Sequence, residues 1–156
     1  MNIVIVCTGN TCRSPMAEAI LKDVLIKKGQ QIDEFNITSA GISTIDGLDA
    51  SKHSINALKE MNIDIKSHKS KVLTIDLVEN SDLILTMTKS HKDIILNSLP
   101  KFSNKVFTLK EFADNKDIDI IDPFGGNLEI YKITAKDIQN TINKLIDKIL
   151  QKKKDK

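Results

Sequence analysis

Residues 2–21 can fold in very few ways, and they constrain everything that follows. Residues 3–6 (Ile-Val-Ile-Val) form an unbroken β-branched run, the pattern of a strand buried on both faces. Pro15 sits where a helix is expected to begin, because a missing N–H costs nothing in the first turn. Ala17, Ile20, Leu21, Val24 and Leu25 then follow at helical spacing. Between strand and helix lies Cys7-Thr8-Gly9-Asn10-Thr11-Cys12-Arg13-Ser14, a loop whose backbone N–H groups can converge at a helix N-terminus. Such a nest binds an anion, and the helix dipole adds to the attraction. Cys7 gives the nest a nucleophile, and Arg13 gives it a planar positive fork. The stretch reads as a phosphate site with a thiolate at its base.

The rest of the chain supplies a frame for that loop. Gly29 is a stop for the first helix. Residues 35–39 read as a second strand with Ala40-Gly41 as its exit, and residues 42–50 as loop. Ile55, Leu58 and Met61 mark a helix capped by Ser51, and Thr74 and Asp76 open a short one that runs through Val78. Residues 83–87 form a third buried strand, Thr88 or Ser90 caps a helix through Leu99 that Pro100 ends, and residues 106–108 are a fourth strand. In the final helix Tyr131, Ile138, Ile142, Leu145 and Ile149 fall on one stripe. Strands alternating with helices imply an α/β fold, a parallel sheet with right-handed crossovers and helices on both faces. Ligands in such sheets bind beyond the carboxyl ends of the strands, which is where Cys7 falls.

A chain of 156 residues is one domain's worth. With 40% apolar but only 4% aromatic residues, its core must be aliphatic. A net charge of +2 gives no argument for a nucleic-acid or membrane partner. Lys152, Lys153, Lys154 and Lys156 read as a frayed, solvated tail. No apolar stretch reaches membrane-spanning length, and the chain enters a strand with no signal peptide before it. Two Cys in one short loop are no secretory disulfide framework, so a cytoplasmic monomer is expected.

Cys7-x5-Arg13-Ser14 has particular company: a strand before it, Pro15 after it, Ser39-Ala40-Gly41 downstream, and Asp122-Pro123-Phe124 far along. In order and spacing this set resembles the low-molecular-weight protein tyrosine phosphatases across nearly the whole chain. The loop wording, together with Asp-Pro-Phe-Gly-Gly at 122–126, resembles one bacterial branch of that family, the protein arginine phosphatases. The resemblance implies a four-stranded parallel sheet of order 2-1-3-4, flavodoxin-like, in one phosphatase domain over residues 1–151 with a basic tail at 152–156. It also implies a metal-free, cofactor-free hydrolysis through a cysteinyl phosphate, with a phosphorylated protein as substrate.

Several residues then acquire expected roles. Cys7 must be a thiolate to attack phosphorus, and a helix N-terminus beside an Arg favours that form. Arg13 would hold two phosphoryl oxygens, with the N–H groups of residues 8–14 around them. A cation in a first helical turn otherwise opposes the dipole. Ser14 either donates to the Cys7 thiolate, as its family counterpart does, or caps the helix. Asn10 suits a left-handed backbone position, and the resemblance implies that Ser39 and His68 hold its side chain. His68 alone reads as an ordinary exposed histidine. Expelling the leaving group is easier if it is protonated as the bond breaks. The residues alone leave Asp117, Asp119 and Asp122 open as that acid, and the family pattern picks Asp122, with Phe124 as a pocket wall.

Cys12 is, by resemblance, the partner that traps an oxidised Cys7 as a disulfide; the alternative is a small loop residue without redox duty. A zinc site from Cys7, Cys12 and a His is the weaker reading, since no second ligand pair follows and Arg13 would repel the metal. Thr11 replaces the Ile common in tyrosine-selective members and offers a hydroxyl to a guanidino N–H, or it merely tolerates the loop geometry. The expected function is therefore hydrolysis of phosphoarginine side chains, with phosphotyrosine as the alternative. An arsenate reductase would need shuttling cysteines beyond Cys12, and the sequence has none. A non-catalytic anion-binding module would leave Cys7 and Asp122 without purpose.

Overall fold

The computed structural model describes residues 1–116 and 119–156, so Asp117, one of the three acids weighed above, lies outside the described residues. The β-branched run becomes β1 (Asn2–Cys7), buried from Ile3 onward. Its period of two splits the core. Ile3, Ile5 and Cys7 face one aliphatic layer, while Val4 and Val6 face a second. Parallel pairing joins β1 to β2 (Asn36–Gly41) on one side and to β3 (Leu83–Thr86) on the other. The third strand pairs with β4 (Val106–Thr108), giving the order β2-β1-β3-β4. This is the 2-1-3-4 parallel sheet that the resemblance implied.

Helix α1 (Arg13–Lys27) starts two residues before Pro15, which occupies the third position of the first turn rather than the first. There the missing N–H still costs nothing. The helix ends as expected. Gly29 takes φ 77°, its N–H bonds Ile26 O, and the Gln30 N–H bonds Leu25 O, which satisfies two carbonyls of the last turn. On the same face as α1 lie α2 (Lys52–Lys59), capped by Ser51, and α6 (Leu128–Lys154). The other face carries α3 (Ile75–Asn80), capped by Thr74, and α4 (Lys89–Ser98), capped by Thr88. A one-turn α5 (Leu109–Phe112) follows β4 with a Thr108–Glu111 capping box.

The α6 stripe is buried at Tyr131, Ile138, Ile142, Leu145 and Ile149, each large enough to contribute about 1.5–3 kcal/mol by leaving water. The frayed tail is a correction: Lys152, Lys153 and Lys154 continue α6 as helix. Lys153 pairs with Glu34 and lies over the Phe35 ring, and Lys156 reaches Asp82 at 2.7 Å. Lys153 and Lys156 are thus anchored to partners far away in the sequence. Among the described residues, no helix is long and apolar enough to cross a membrane.

One residue of β2 sets the distance between sheet and loop. Gly41, expected as a strand exit, is instead the last residue of β2 and pairs with Cys7. A Cβ there would lie 2.7 Å from Thr8 O and 3.1 Å from Asn10 N, both backbone atoms that cannot step aside alone. Gly41→Ala should therefore lower stability by about 1–3 kcal/mol in urea unfolding and weaken phosphate binding at the loop. Unchanged stability and binding would mean that loop and strand are not held in contact.

Candidate active site

Cys7 ends β1 and Arg13 begins α1, so the intervening loop has its two ends fixed by regular structure. Cys12 occupies the N-cap position without a capping side-chain bond, and the first turn holds no acidic residue. The N–H groups of that turn therefore remain available to an anion. The loop walls a cleft of about 270 Å³, with Cys7, Thr11 and Arg13 on one side and Asp122 and Phe124 closing it from the other.

Asn10 holds this loop in shape. Its φ is 56°, and it is fully buried. Its Nδ2 donates to Ser14 Oγ at 2.8 Å and to Ser39 Oγ at 2.9 Å, while its Oδ1 accepts the Lys71 N–H at 2.9 Å. His68 departs from the expected pattern. Its Nε2 lies 2.8 Å from the Asn10 backbone carbonyl rather than the side chain, whose oxygen accepts the Lys71 N–H.

These contacts fix the direction of every proton in a chain. Ser39 Oγ accepts from Asn10, so its own proton goes to Glu18 Oε1 at 2.7 Å. Ser14 Oγ likewise accepts from Asn10, which leaves its proton for Cys7 Sγ at 2.9 Å. The Asn10 N–H also points at that sulfur, at 3.2 Å. Two donors thus converge on one buried sulfur, placed to stabilise negative charge there as it reacts. Of the two roles open to Ser14, donation to sulfur is the one its geometry serves, since it lies inside the first turn and not at the cap.

Arg13 is 4% exposed and its Nη1 donates to Ile120 O at 2.9 Å, which holds the fork across the cleft floor. Its Nη2 stands 3.5 Å from Asp122 Oδ2. The other oxygen of Asp122 accepts the Phe124 N–H at 3.1 Å, and half of the side chain is exposed. Asp122 is thus oriented yet open to the cleft. Asp119 is not: its Oδ1 accepts the Lys89 N–H at 2.9 Å at the start of α4. Of the two described acids, Asp122 is the one facing the thiol. Phe124 is 81% exposed and forms an apolar lip.

Thr11 lines the cleft with its Oγ1 3.8 Å from Cys12 Sγ, and its carbonyl accepts the Ser51 N–H that begins α2. Cys7 and Cys12 are both free and buried thiols.

Three residues of this site escape a reading of the sequence. Glu18, in α1, terminates the proton chain at Ser39 and also pairs with Lys22, and no motif in the sequence singles it out. Tyr131 reads as core, and it is, but its hydroxyl lies 3.5 Å from Cys12 Sγ and its ring packs 5.2 Å from His53. Burial, with the Cys12 thiol beside it, pushes Tyr131 up to about 12, so it remains a neutral phenol. His91 lies in the first turn of α4, 5% exposed, between Thr8 and Thr88. Burial and the nearby Arg13 push it down to about 4, against weaker opposing pulls from Asp119 and Asp122, so its ring is neutral near pH 7. A His three residues after a helix cap was the only sequence signal, and it did not point to the loop.

Known proteins resemble this chain over nearly its whole length. The protein-arginine-phosphatase of Bacillus subtilis (strain 168) is 42% identical over 145 residues, spanning 93% of this chain and 94% of that protein. The low molecular weight protein-tyrosine-phosphatase PtpB of Staphylococcus epidermidis is 38% identical over 146 residues, 93% of this chain and 96% of PtpB. Among solved structures, the YwlE arginine phosphatase, as a Cys-to-Ser mutant with a phosphorylated active-site serine, superposes with a TM-score of 0.89 at 40% identity. That match covers 96% of this chain and 95% of the other. The model of the low molecular weight phosphotyrosine protein phosphatase family matches residues 2–156, and the chain belongs to that family of protein phosphatases.

Proposed function

We propose that this cysteine-dependent phosphatase acts on phosphoarginine side chains of proteins in the cytoplasm, with Cys7, Arg13 and Asp122 as its catalytic residues. The phosphoryl group sits on the loop N–H groups, and the Arg13 fork takes two of its oxygens. Cys7 Sγ attacks phosphorus as the P–N bond breaks. The electron pair of that bond leaves on the guanidino nitrogen, which takes the proton of Asp122. Water then attacks the cysteinyl phosphate, Asp122 takes the water proton, and the S–P electron pair returns to Cys7. The YwlE mutant with a phosphorylated serine in its active site supports a covalent phosphoryl intermediate of this kind.

The observation that carries the substrate assignment is Thr11 on the wall of the cleft. A guanidino group brought into that cleft loses water from its N–H groups, and an unpaired buried N–H costs about 1–3 kcal/mol. The Thr11 hydroxyl supplies an acceptor there. Greater identity to an arginine phosphatase than to PtpB supports the same choice.

Cys7→Ser should lose turnover yet retain phosphate binding, because the loop amides and Arg13 remain; appreciable residual turnover would remove Cys7 from the reaction. Asp122→Ala should slow cleavage of a poor leaving group by about 10²–10⁴-fold and that of a good aryl oxide far less. Equal losses on both substrates would take the acid role away from Asp122. On matched peptides the wild type should show the higher kcat/KM for phosphoarginine, and Thr11→Ile should lose most of that activity while keeping or gaining phosphotyrosine activity. A wild type that prefers phosphotyrosine, with a ratio indifferent to Thr11→Ile, would make this a tyrosine phosphatase.

A further inference from the structure

His91 is a buried imidazole that the catalytic scheme leaves unused, and both of its ring nitrogens are engaged. Nδ1 lies 3.0 Å from Thr88 Oγ1 and Nε2 lies 2.8 Å from Thr8 Oγ1. Thr88 caps α4, so its Oγ1 already accepts the His91 backbone N–H at 3.2 Å. That hydroxyl has one proton to give, and Nδ1 is the acceptor in reach. If Nδ1 were protonated instead, Thr88 Oγ1 would accept twice and its proton would have no acceptor among the described residues. The assignment that satisfies all three groups has Thr88 donating to Nδ1 and Nε2–H donating to Thr8 Oγ1. Thr8 then spends its acceptor on His91 and keeps its own proton free. Thr8 lines the catalytic cleft beside Cys7.

We propose that His91 is a positioning residue: locked as the Nε2–H tautomer by Thr88, it turns the Thr8 hydroxyl into a proton donor for an oxygen of the phosphoryl group in the cleft. The side chain of Thr8 thereby joins the backbone N–H groups as a charge-stabilising donor, and the start of α4 becomes part of the loop's support. A neutral ring is required, since a ring with protons on both nitrogens would compete with the Thr88 proton. The inference rests on the phosphatase reading of the cleft, but not on the choice between phosphoarginine and phosphotyrosine.

The test has two arms. Nitrogen NMR of the wild-type imidazoles at pH 7, without turnover, should give His91 a protonated Nε2 and a bare Nδ1. A protonated Nδ1 would overturn the proposal. In the second arm Thr8→Val and His91→Asn are each expected to lower kcat on an aryl phosphate about tenfold, the worth of one hydrogen bond to charge. The double variant should be no worse than Thr8→Val alone, because His91 acts through Thr8. His91→Gln, which can present an N–H near the Nε2 position, should recover most of the loss. Losses that multiply in the double variant would reduce His91 to a packing residue. A wild type that cleaves no phosphate ester at all would instead remove the phosphatase reading, and the NMR arm would remain readable.

Discussion

Everything at the catalytic end of this molecule depends on one buried amide. Asn10 carries a left-handed backbone, four hydrogen-bond partners for its side chain and carbonyl, and a backbone N–H aimed at sulfur. An amide buried without partners would cost about 1–3 kcal/mol per orphaned group. Its complete satisfaction is therefore the reason the loop has one shape and not several. The chain of donors that it heads is also directional. Glu18 can only accept and the Asn10 amide nitrogen can only donate, so Ser39 and Ser14 have no choice of orientation. The Asn10 amide thereby leaves the Ser14 proton pointing at Cys7, and the Ser39 proton pointing at the Glu18 carboxylate.

The fold supplies the partners by convergence. Strand order 2-1-3-4 places the carboxyl end of β1 between β2 and β3, so Cys7 has Gly41 beside it and Met87 N–H on Val6 O behind it. From β2 come Ser39 and the Cβ-free surface of Gly41, against which the loop backbone lies. The segment after α2 adds His68 and Lys71, and the segment before α6 adds Ile120 and Asp122. Each contributes one or two bonds, none of them within its own element. The loop is rigid because many short reaches end on it.

Features with a period or a stop signal were legible in the sequence. The β-branched run, the α6 stripe, the Gly29 cap and the Ser51, Thr74 and Thr88 caps all report local chemistry, and the structure has them. Cys7 and Arg13 share one cleft through motif spacing at the end of a strand, whereas Asp122, which lines the same cleft, was singled out by the family resemblance alone. What escaped was tertiary. In the fold the Lys71 N–H meets the Asn10 side-chain oxygen while His68 meets its backbone carbonyl, and nothing local to residues 68 and 71 announces that division. His91 and Tyr131 look like an ordinary helix residue and an ordinary core residue, and only the fold brings them to Thr8 and Cys12. Pro15 was misplaced by two positions because the loop winds into helix at Arg13, where no sequence stop signal stands. The basic tail was misjudged because its partners, Glu34 and Asp82, lie far away in sequence.

The packing of α6 against α1 has a consequence for how the molecule comes into being. Residues 128–154 are made more than a hundred residues after the loop that carries the nucleophile. Until α6 arrives, Ala17, Leu21 and Val24 have no apolar cover from it, and Cys12 has no phenol beside it. Cys12 therefore gains its phenol neighbour only when α6 docks, whereas the contacts of Cys7 come from residues 10, 14 and 41.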